Sequence, residues 1–227
     1  MTEPAIGALV LGGHGAIGTA ITTRFEAAGY DVVATGRKDL DLTDAESINR
    51  WFERSHPPLG VLVHSAGINF PKPFMELSED EIAATYETNV SGFLRVTRLA
   101  IPDLVAAKGR VVVISSIFGF LSRVGRLPYS ASKHALVGIV KSLALELAPD
   151  GVLVNAVSPG YIDTRLTWQN NDAETVHRLE SAIPMRRMGT ATEVAEVVYF
   201  LGSRQNGYVT GQDVVVDGGL SVDGGRG

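Results

Sequence analysis

Six short apolar runs rich in Val and Ile recur along the chain, at residues 6–11, 31–35, 61–64, 110–115, 152–157 and 213–216. Runs this short and this uniformly apolar read as strands buried on both faces. Stretches of helical periodicity lie between them, and three open on the capping-box pattern: Thr43-x-x-Glu46, Ser78-x-x-Glu81 and Thr190-x-x-Glu193. Strand and helix alternating in this way define an α/β, doubly wound parallel sheet, a Rossmann fold, within a single domain over residues 1–227. One interval breaks the rhythm. A parallel crossover needs a dozen or more residues, yet only Lys38, Asp39 and Leu40 separate Arg37, at the end of the second run, from Asp41. The spacing predicts a third strand that is reduced or missing, with the helix capped by Thr43 following almost at once.

The first strand runs into LGGHGAIG, residues 11–18. Gly13-x-Gly15-x-x-Gly18 is one reading of this turn and Gly12-x-x-x-Ala16-x-Gly18 another. Both place a turn without bulky side chains ahead of Ile17, Ala20, Ile21 and Phe25 at helical spacing. Such a turn lets a pyrophosphate approach the amides of a helix N-terminus.

Composition removes several classes of function. The 227 residues suit one domain with a substantial core. With no cysteine, disulfides, thiolate zinc sites and a Cys nucleophile are excluded, and no metal-ligand set is expected. A net charge of −5 with scattered Lys and Arg gives no footprint for nucleic acid. Without an apolar run of membrane-spanning length or a basic leader, a soluble, cytoplasmic protein is expected, with no membrane partner.

The chemistry is carried by VVVISSIFGFLSRVGRLPYSASK, residues 111–133. Tyr129 and Lys133 are four apart and share one helix face, while Ala135, Leu136, Ile139, Val140, Leu143 and Leu147 form the stripe that packs that helix down. Ser116 lies at the C-terminal end of a strand, the end of an open α/β sheet where ligands bind. His64 reads as a half-buried structural ring at another strand end.

On these motifs the chain resembles the short-chain dehydrogenase/reductases, most of all the 3-oxoacyl-carrier-protein reductases and related ketoreductases. The resemblance spans nearly the whole sequence: Gly12-x-x-x-Ala16-Ile17-Gly18, Asp41-Leu42, His64-Ser65-Ala66-Gly67 where the family usually has Asn-Asn-Ala-Gly, Asn89 in ETNVSG, Ser116, Tyr129-x-x-x-Lys133, Pro159-Gly160 with Ile162 and Thr164, and the closing TGQDVVVDGG. It selects the second reading of the turn, with Ala16 in place of a usual Gly.

The resemblance implies an NAD(P)H-dependent oxidoreductase that reduces a ketone, or oxidises a secondary alcohol, by hydride transfer. It assigns the catalytic roles to Ser116, Tyr129, Lys133 and Asn89. Tyr129 gives the proton, Lys133 lowers the pKa of the phenol and holds the nicotinamide ribose, Ser116 binds the substrate oxygen, and Asn89 fixes a relaying water. Implied cofactor contacts are Gly12, His14, Gly15, Ile17, Gly18, Arg37, Asp41, Leu42, Ser65, Ala66, Gly67, Tyr129, Lys133, Pro159, Gly160, Ile162 and Thr164. Arg37, beside Lys38, suits a 2′-phosphate, so NADP(H) is the expected cofactor and NAD the alternative.

Ser130-x-x-Lys133 also matches the nucleophile and base of penicillin-recognising enzymes, but their SDN and KTG elements are absent. A cofactor-binding regulator without turnover would not need the Ser, Tyr and Lys set. The substrate is expected to be a small carbonyl or alcohol compound, free or on a carrier protein. Residues 164–190, with Leu166, Trp168, His177, Leu179, Ile183, Met185 and Met188, are expected to form a substrate lid. A homo-oligomer, dimer or tetramer, is expected through the helices at 78–106 and 129–148.

Overall fold

The structure is a computed structural model that describes residues 6–164, 167–168 and 172–223. Its sheet is built from β1 (Gly7–Leu11), β2 (Asp31–Thr35), β3 (Leu59–His64), β4 (Arg110–Ile114), β5 (Leu153–Pro159) and β8 (Asp213–Val216). The spatial order is β2-β1-β3-β4-β5-β8, with every pairing parallel. The order reverses between β1 and β3, and the crevice at that switch point is where such sheets take a ligand.

Alternation along the strands divides the core in two. Leu9 and Leu11 of β1 face α2 (Ala45–Phe52), α4 (Gly92–Ala107) and α5 (Leu127–Leu147), packing with Trp51, Phe93 and Leu136. Ala8 and Val10 face α1 (Ala16–Glu26) and α7 (Ala191–Gly202), packing with Ile21, Phe25 and Val198. These two helical layers make the fold doubly wound. The four central strands are buried along almost their whole length, but β2 and β8 stand at the edges and are partly exposed. Their Val-rich sequence reflects cover on the faces and says nothing about edge position.

No strand lies between β2 and β3 among the described residues, as the spacing requires. The details of the join differ from the sequence pattern. Asp41 Oδ1 takes both the amide (2.9 Å) and the hydroxyl (2.7 Å) of Thr43. Thr43 is thereby committed to an Asx turn, and Asp44 caps α2 instead by accepting from the Glu46 amide. The other two capping boxes form as read, Ser78 on α3 (Glu79–Tyr86) and Thr190 on α7. Between α3 and α4 the chain makes one π-helical turn, Glu87–Ser91, centred on Asn89.

A two-stranded parallel sheet, β6 (Ile162–Asp163) with β7 (Gly189–Thr190), has no counterpart in the periodicity, because two residues per strand carry no pattern. It clamps the base of the segment that holds α6 (Ala173–Ala182). Ile183 and Met188, read as lid residues, are buried with Val176 in a separate small cluster against Tyr161 and Leu220. They are the core of this segment, whereas Trp168 and Met185 are exposed and Leu166 lies outside the described residues. Among the described residues, no helix is long and apolar enough to cross a membrane.

Candidate active site

The turn after β1 is shaped by close backbone approach. Gly12 has φ +73°, and a Cβ there would stand 2.6 Å from the Ala66 backbone. A Cβ at Gly18 would collide with the Gly12 carbonyl oxygen, whereas one at Gly15 would meet only that oxygen at 3.4 Å. A Cβ at Gly13 would likewise stand 2.6 Å from Ala34 Cβ, so the structure demands glycine at 12, 13 and 18 but not at 15, the glycine that only the first reading of the motif needs at its centre. Gly15 caps α1 without a side-chain hydrogen bond. The amides of the first turn, at Ala16, Ile17 and Gly18, therefore point out of the helix end without an internal partner, a donor set matched to a pyrophosphate.

Beside the turn lies a narrow cleft of about 80 Å³ whose walls include Gly12, Gly36, Arg37, Asp41, Leu42 and Thr88. It is suited to a flat heteroaromatic ring and a ribose. Asp41 is fixed at its rim: burial pushes the carboxyl up, but the Thr43 bonds and Arg37 outweigh it and hold it below its ordinary value. Arg37 Nε donates to Asp41 Oδ2 at 3.1 Å, while most of the Arg37 side chain remains exposed. His14 Nδ1 stands 2.7 Å from where a Cβ on Gly36 would be, and 3.6 Å from Asp39 Oδ2. His14, Arg37 and Lys38 thus gather on one side of the cleft mouth. Thr88 and Leu40, which also line the cleft, went unread in the sequence, although Thr88 is next to the conspicuous Asn89.

At the C-terminal ends of β3, β4 and β5 the structure brings the four candidate catalytic residues together. Pro128 opens α5, and its buried stripe, Leu136, Val140, Ala144 and Leu147, presses the helix onto the sheet so that Lys133 turns inward. Lys133 is 3% exposed, and Nζ donates to the Ile114 carbonyl at 2.8 Å. Burial pulls its pKa down to about 8. The only acceptor bonded to this buried ammonium among the described residues is Ile114, so two of its three N–H groups remain for a bound molecule. Gly67 leaves the space, since a Cβ there would be 3.4 Å from Nζ. These orphaned donors, with the α1 amides and the cleft, fit a dinucleotide lying across the switch point.

Lys133 Nζ lies 5.5 Å from the Tyr129 ring centroid, over its face. Burial raises the Tyr129 hydroxyl above its ordinary value, and the opposing influences are a hydrogen bond with Ser116 and the charge of Arg126. The net lowering of the Tyr129 pKa expected from the sequence is therefore corrected, because burial outweighs the influences that favour the phenolate. Ser116 Oγ also accepts from the Phe118 amide at 3.1 Å, which fixes its rotamer.

Asn89 is fully buried with its amide saturated. Oδ1 accepts from the Ile68 amide (2.8 Å), and Nδ2 donates to the Ile68 carbonyl (3.1 Å) and to Ser132 Oγ (3.0 Å). Ser132 in turn donates to the Tyr129 carbonyl at 2.7 Å. Asn89 thereby ties the loop at Ile68 to α5, a positioning job.

His64 is buried completely, further than the half-buried ring expected of it. It stacks on Phe93 at 4.8 Å, and its Nε2 meets the Asn89 carbonyl at 3.0 Å. That contact requires Nε2 to carry the proton, and Nδ1 is left without a partner. Burial first, and the Lys133 charge second, depress the pKa of His64 to about 3.

On the far side of Lys133, Pro159 ends β5, the Gly160 amide donates to the Val216 carbonyl (2.9 Å), Ile162 opens β6 and Thr164 follows it. Ser65 donates its amide to the Leu11 carbonyl at 2.9 Å and sets Ala66 against Gly12.

A nucleotide cleft at the switch point, with a Ser-Tyr-Lys cluster at the strand ends beside it, defines an oxidoreductase of the Rossmann type. The chain belongs to the short-chain dehydrogenase/reductase family: the family described as enoyl-(acyl carrier protein) reductase matches residues 38–221. It is 35% identical to the 3-oxoacyl-(acyl-carrier-protein) reductase FabG of Aquifex aeolicus, over 93% of this chain and 96% of that protein. It is 34% identical to the 3-oxoacyl-(acyl-carrier-protein) reductase MabA of Mycobacterium avium, over 94% and 89%. Among solved structures, the aldohexose dehydrogenase AldT of Thermoplasma acidophilum superposes with a TM-score of 0.89 at 29% identity, covering 96% of this chain and 94% of that one. ElxO with NADP bound superposes with a TM-score of 0.85 at 28% identity, over 96% and 99%.

The buried neutral His64 has a thermodynamic signature. Its folded pKa of about 3 lies below the ordinary histidine value, so the unfolded chain takes up the proton first. Stability is complete above about pH 6.5 and drains away as pH falls towards 3, by about 2 kcal/mol at pH 5. Urea unfolding of the wild type and His64→Asn between pH 7.5 and 4.5 checks this: the variant is expected to lose less stability with acid, and equal slopes would contradict it.

Proposed function

We propose that the protein is an NADP(H)-dependent ketoreductase acting on a 3-oxoacyl or related carbonyl substrate, with Tyr129, Lys133 and Ser116 as catalytic residues and Asn89 as their positioning residue. The observation that carries this reading is the buried Lys133 ammonium beneath the Tyr129 ring, with Ser116 near enough to the same phenol to counter the upward push of burial on its pKa. The nicotinamide, when bound, supplies or accepts the hydride.

Ser116 and Tyr129 together present hydroxyls to a carbonyl oxygen. As negative charge builds on that oxygen, the Tyr129 hydroxyl donates its proton. Its raised pKa keeps it protonated and ready to donate at neutral pH. The Lys133 cation over the ring then offsets the charge of the phenolate, and its free N–H groups hold the ribose hydroxyls. The α1 amides take the pyrophosphate, and Arg37 takes the 2′-phosphate, aided by His14 and Lys38. Support for NADP(H) also comes from ElxO, which holds NADP in a closely similar fold. Support for the substrate class comes from the carrier-protein reductases among the relatives. The α6 segment serves as a lid over the substrate.

Assembly as a homodimer or homotetramer is part of the proposal. Leu94, Leu99, Leu127 and Leu145 stand exposed on α4 and α5, so light scattering is expected to give two or four times the 24.2 kDa chain mass, and a clean monomer would refute it.

Two variants test the chemistry. Tyr129→Phe is expected to bind NADPH normally, read by fluorescence, yet lose at least ~100-fold in ketone reduction; turnover within a few-fold of wild type would overturn its role as proton donor. Arg37→Ala is expected to raise KM for NADPH far more than for NADH. Equal losses with both cofactors, or a wild-type preference for NADH, would overturn the assignment of the 2′-phosphate to Arg37.

A further inference from the structure

Four arginines among the described residues are partly buried: Arg24, Arg95, Arg110 and Arg126. Arg24 pairs with Glu196, Arg95 pairs with Glu87, and Arg110 donates to the carbonyls of Lys108, Gly109 and Asn206. Arg126 alone of the four has no hydrogen-bond or ion-pair partner for its guanidinium among the described residues. The groups that feel its charge are Arg123, Tyr129 and Tyr161, none of which is a carboxylate. Burial and the like charge of Arg123 both press its pKa down, so the fold holds a guanidinium where it is penalised. A cation desolvated to this extent calls for an anion.

Its place says which anion. Arg126 is the N-cap residue of α5 and Tyr129 lies three positions on, one turn along the same helix edge. Arg123 closes the outer side: its Nη1 donates to the Tyr161 hydroxyl at 3.3 Å, and Tyr161 packs on the small core beneath α6. Lys72, the next cation along this rim, is already satisfied by Glu81. Arg126 and Tyr129 stand near enough to feel each other's charge, so an anion at Arg126 would lie on the side of the site where Tyr129 faces a carbonyl oxygen, and the planar guanidinium fork matches a carboxylate.

We propose that Arg126, with Arg123 behind it, binds a free carboxylate on the substrate, which makes the substrate class a short oxo acid, or in reverse a hydroxy acid. The proposal rests on the reading of Tyr129 as proton donor and narrows the substrate within it. A thioester has no such charge beside the ketone, so the two substrate types give opposite results.

The test compares acetoacetate with methyl acetoacetate and with an acetoacetyl thioester of N-acetylcysteamine, using NADPH and the wild type, Arg126→Gln and Arg126→Lys. The wild type is expected to favour the acid over the ester in kcat/KM. Arg126→Gln is expected to lower the acid-to-ester ratio by about 100-fold, chiefly through KM for the acid, and Arg126→Lys to restore part of it. A wild-type preference for ester or thioester, or a ratio unmoved by Arg126→Gln, would overturn the proposal.

A binding measurement separates this inference from the reading of the site as a reductase. Butanoate is expected to bind the NADPH-loaded wild type more tightly than butanamide, by NMR titration, and to lose that advantage in Arg126→Gln. If no carbonyl compound is reduced, the reductase reading fails and the butanoate result still decides the anion site. Equal binding of butanoate and butanamide overturns it, and tighter binding of inorganic phosphate than of butanoate overturns the choice of carboxylate.

Discussion

A single desolvated ammonium sets the terms for everything around it. Lys133 reaches the interior at the C-terminal end of β4, where the Ile114 carbonyl gives it one acceptor. Burial first, and the Lys133 field second, hold the neighbouring His64 neutral. Gly67 passes close to the same atom, and Tyr129 presents its ring face to it. The cluster is a set of groups that all accommodate one charge.

The π-helical turn belongs to this arrangement. It widens the helix at Asn89 and sends the Asn89 carbonyl to His64, while the side chain binds Ile68 and Ser132. One residue thus fastens β3, the loop after it and α5. With Asn89 so fully engaged, its contribution is the geometry of its neighbours.

The layered α/β architecture, the missing third strand and the shared helix face of Tyr129 and Lys133 were legible in the sequence because each rests on spacing, whereas Ser116 joined them through the family resemblance. Four residues fix a helix face, and three residues are too few for a crossover. What stayed hidden depended on competition between neighbours. Thr43 and Asp44 are both good caps, and only the Asp41 carboxylate, by seizing Thr43, decides between them. The direction of the Tyr129 shift depends on burial outweighing Ser116 and Arg126, a balance no motif encodes. Arg126 carries no motif, and only its surroundings show that no carboxylate among the described residues neutralises it. Ile183 and Met188 have the composition of a lid lining yet pack as a miniature core, because β6 and β7 are too short to register as periodicity.

The abbreviated passage from β2 to α2 changes how the nucleotide cleft comes into being. Residues 36–44 supply Gly36, Arg37, Asp41 and Leu42 from one tight stretch of chain that Asp39 and Asp41 knot from within. A complete strand and crossover helix would spread the same wall over a loop several times longer, and each doubling of loop length adds about 0.6 kcal/mol of closure entropy. Here that end of the cleft closes locally and is cheap in chain entropy, whereas the cluster of Ser116, Tyr129 and Lys133 is gathered from β4 and α5 and needs the sheet that joins them.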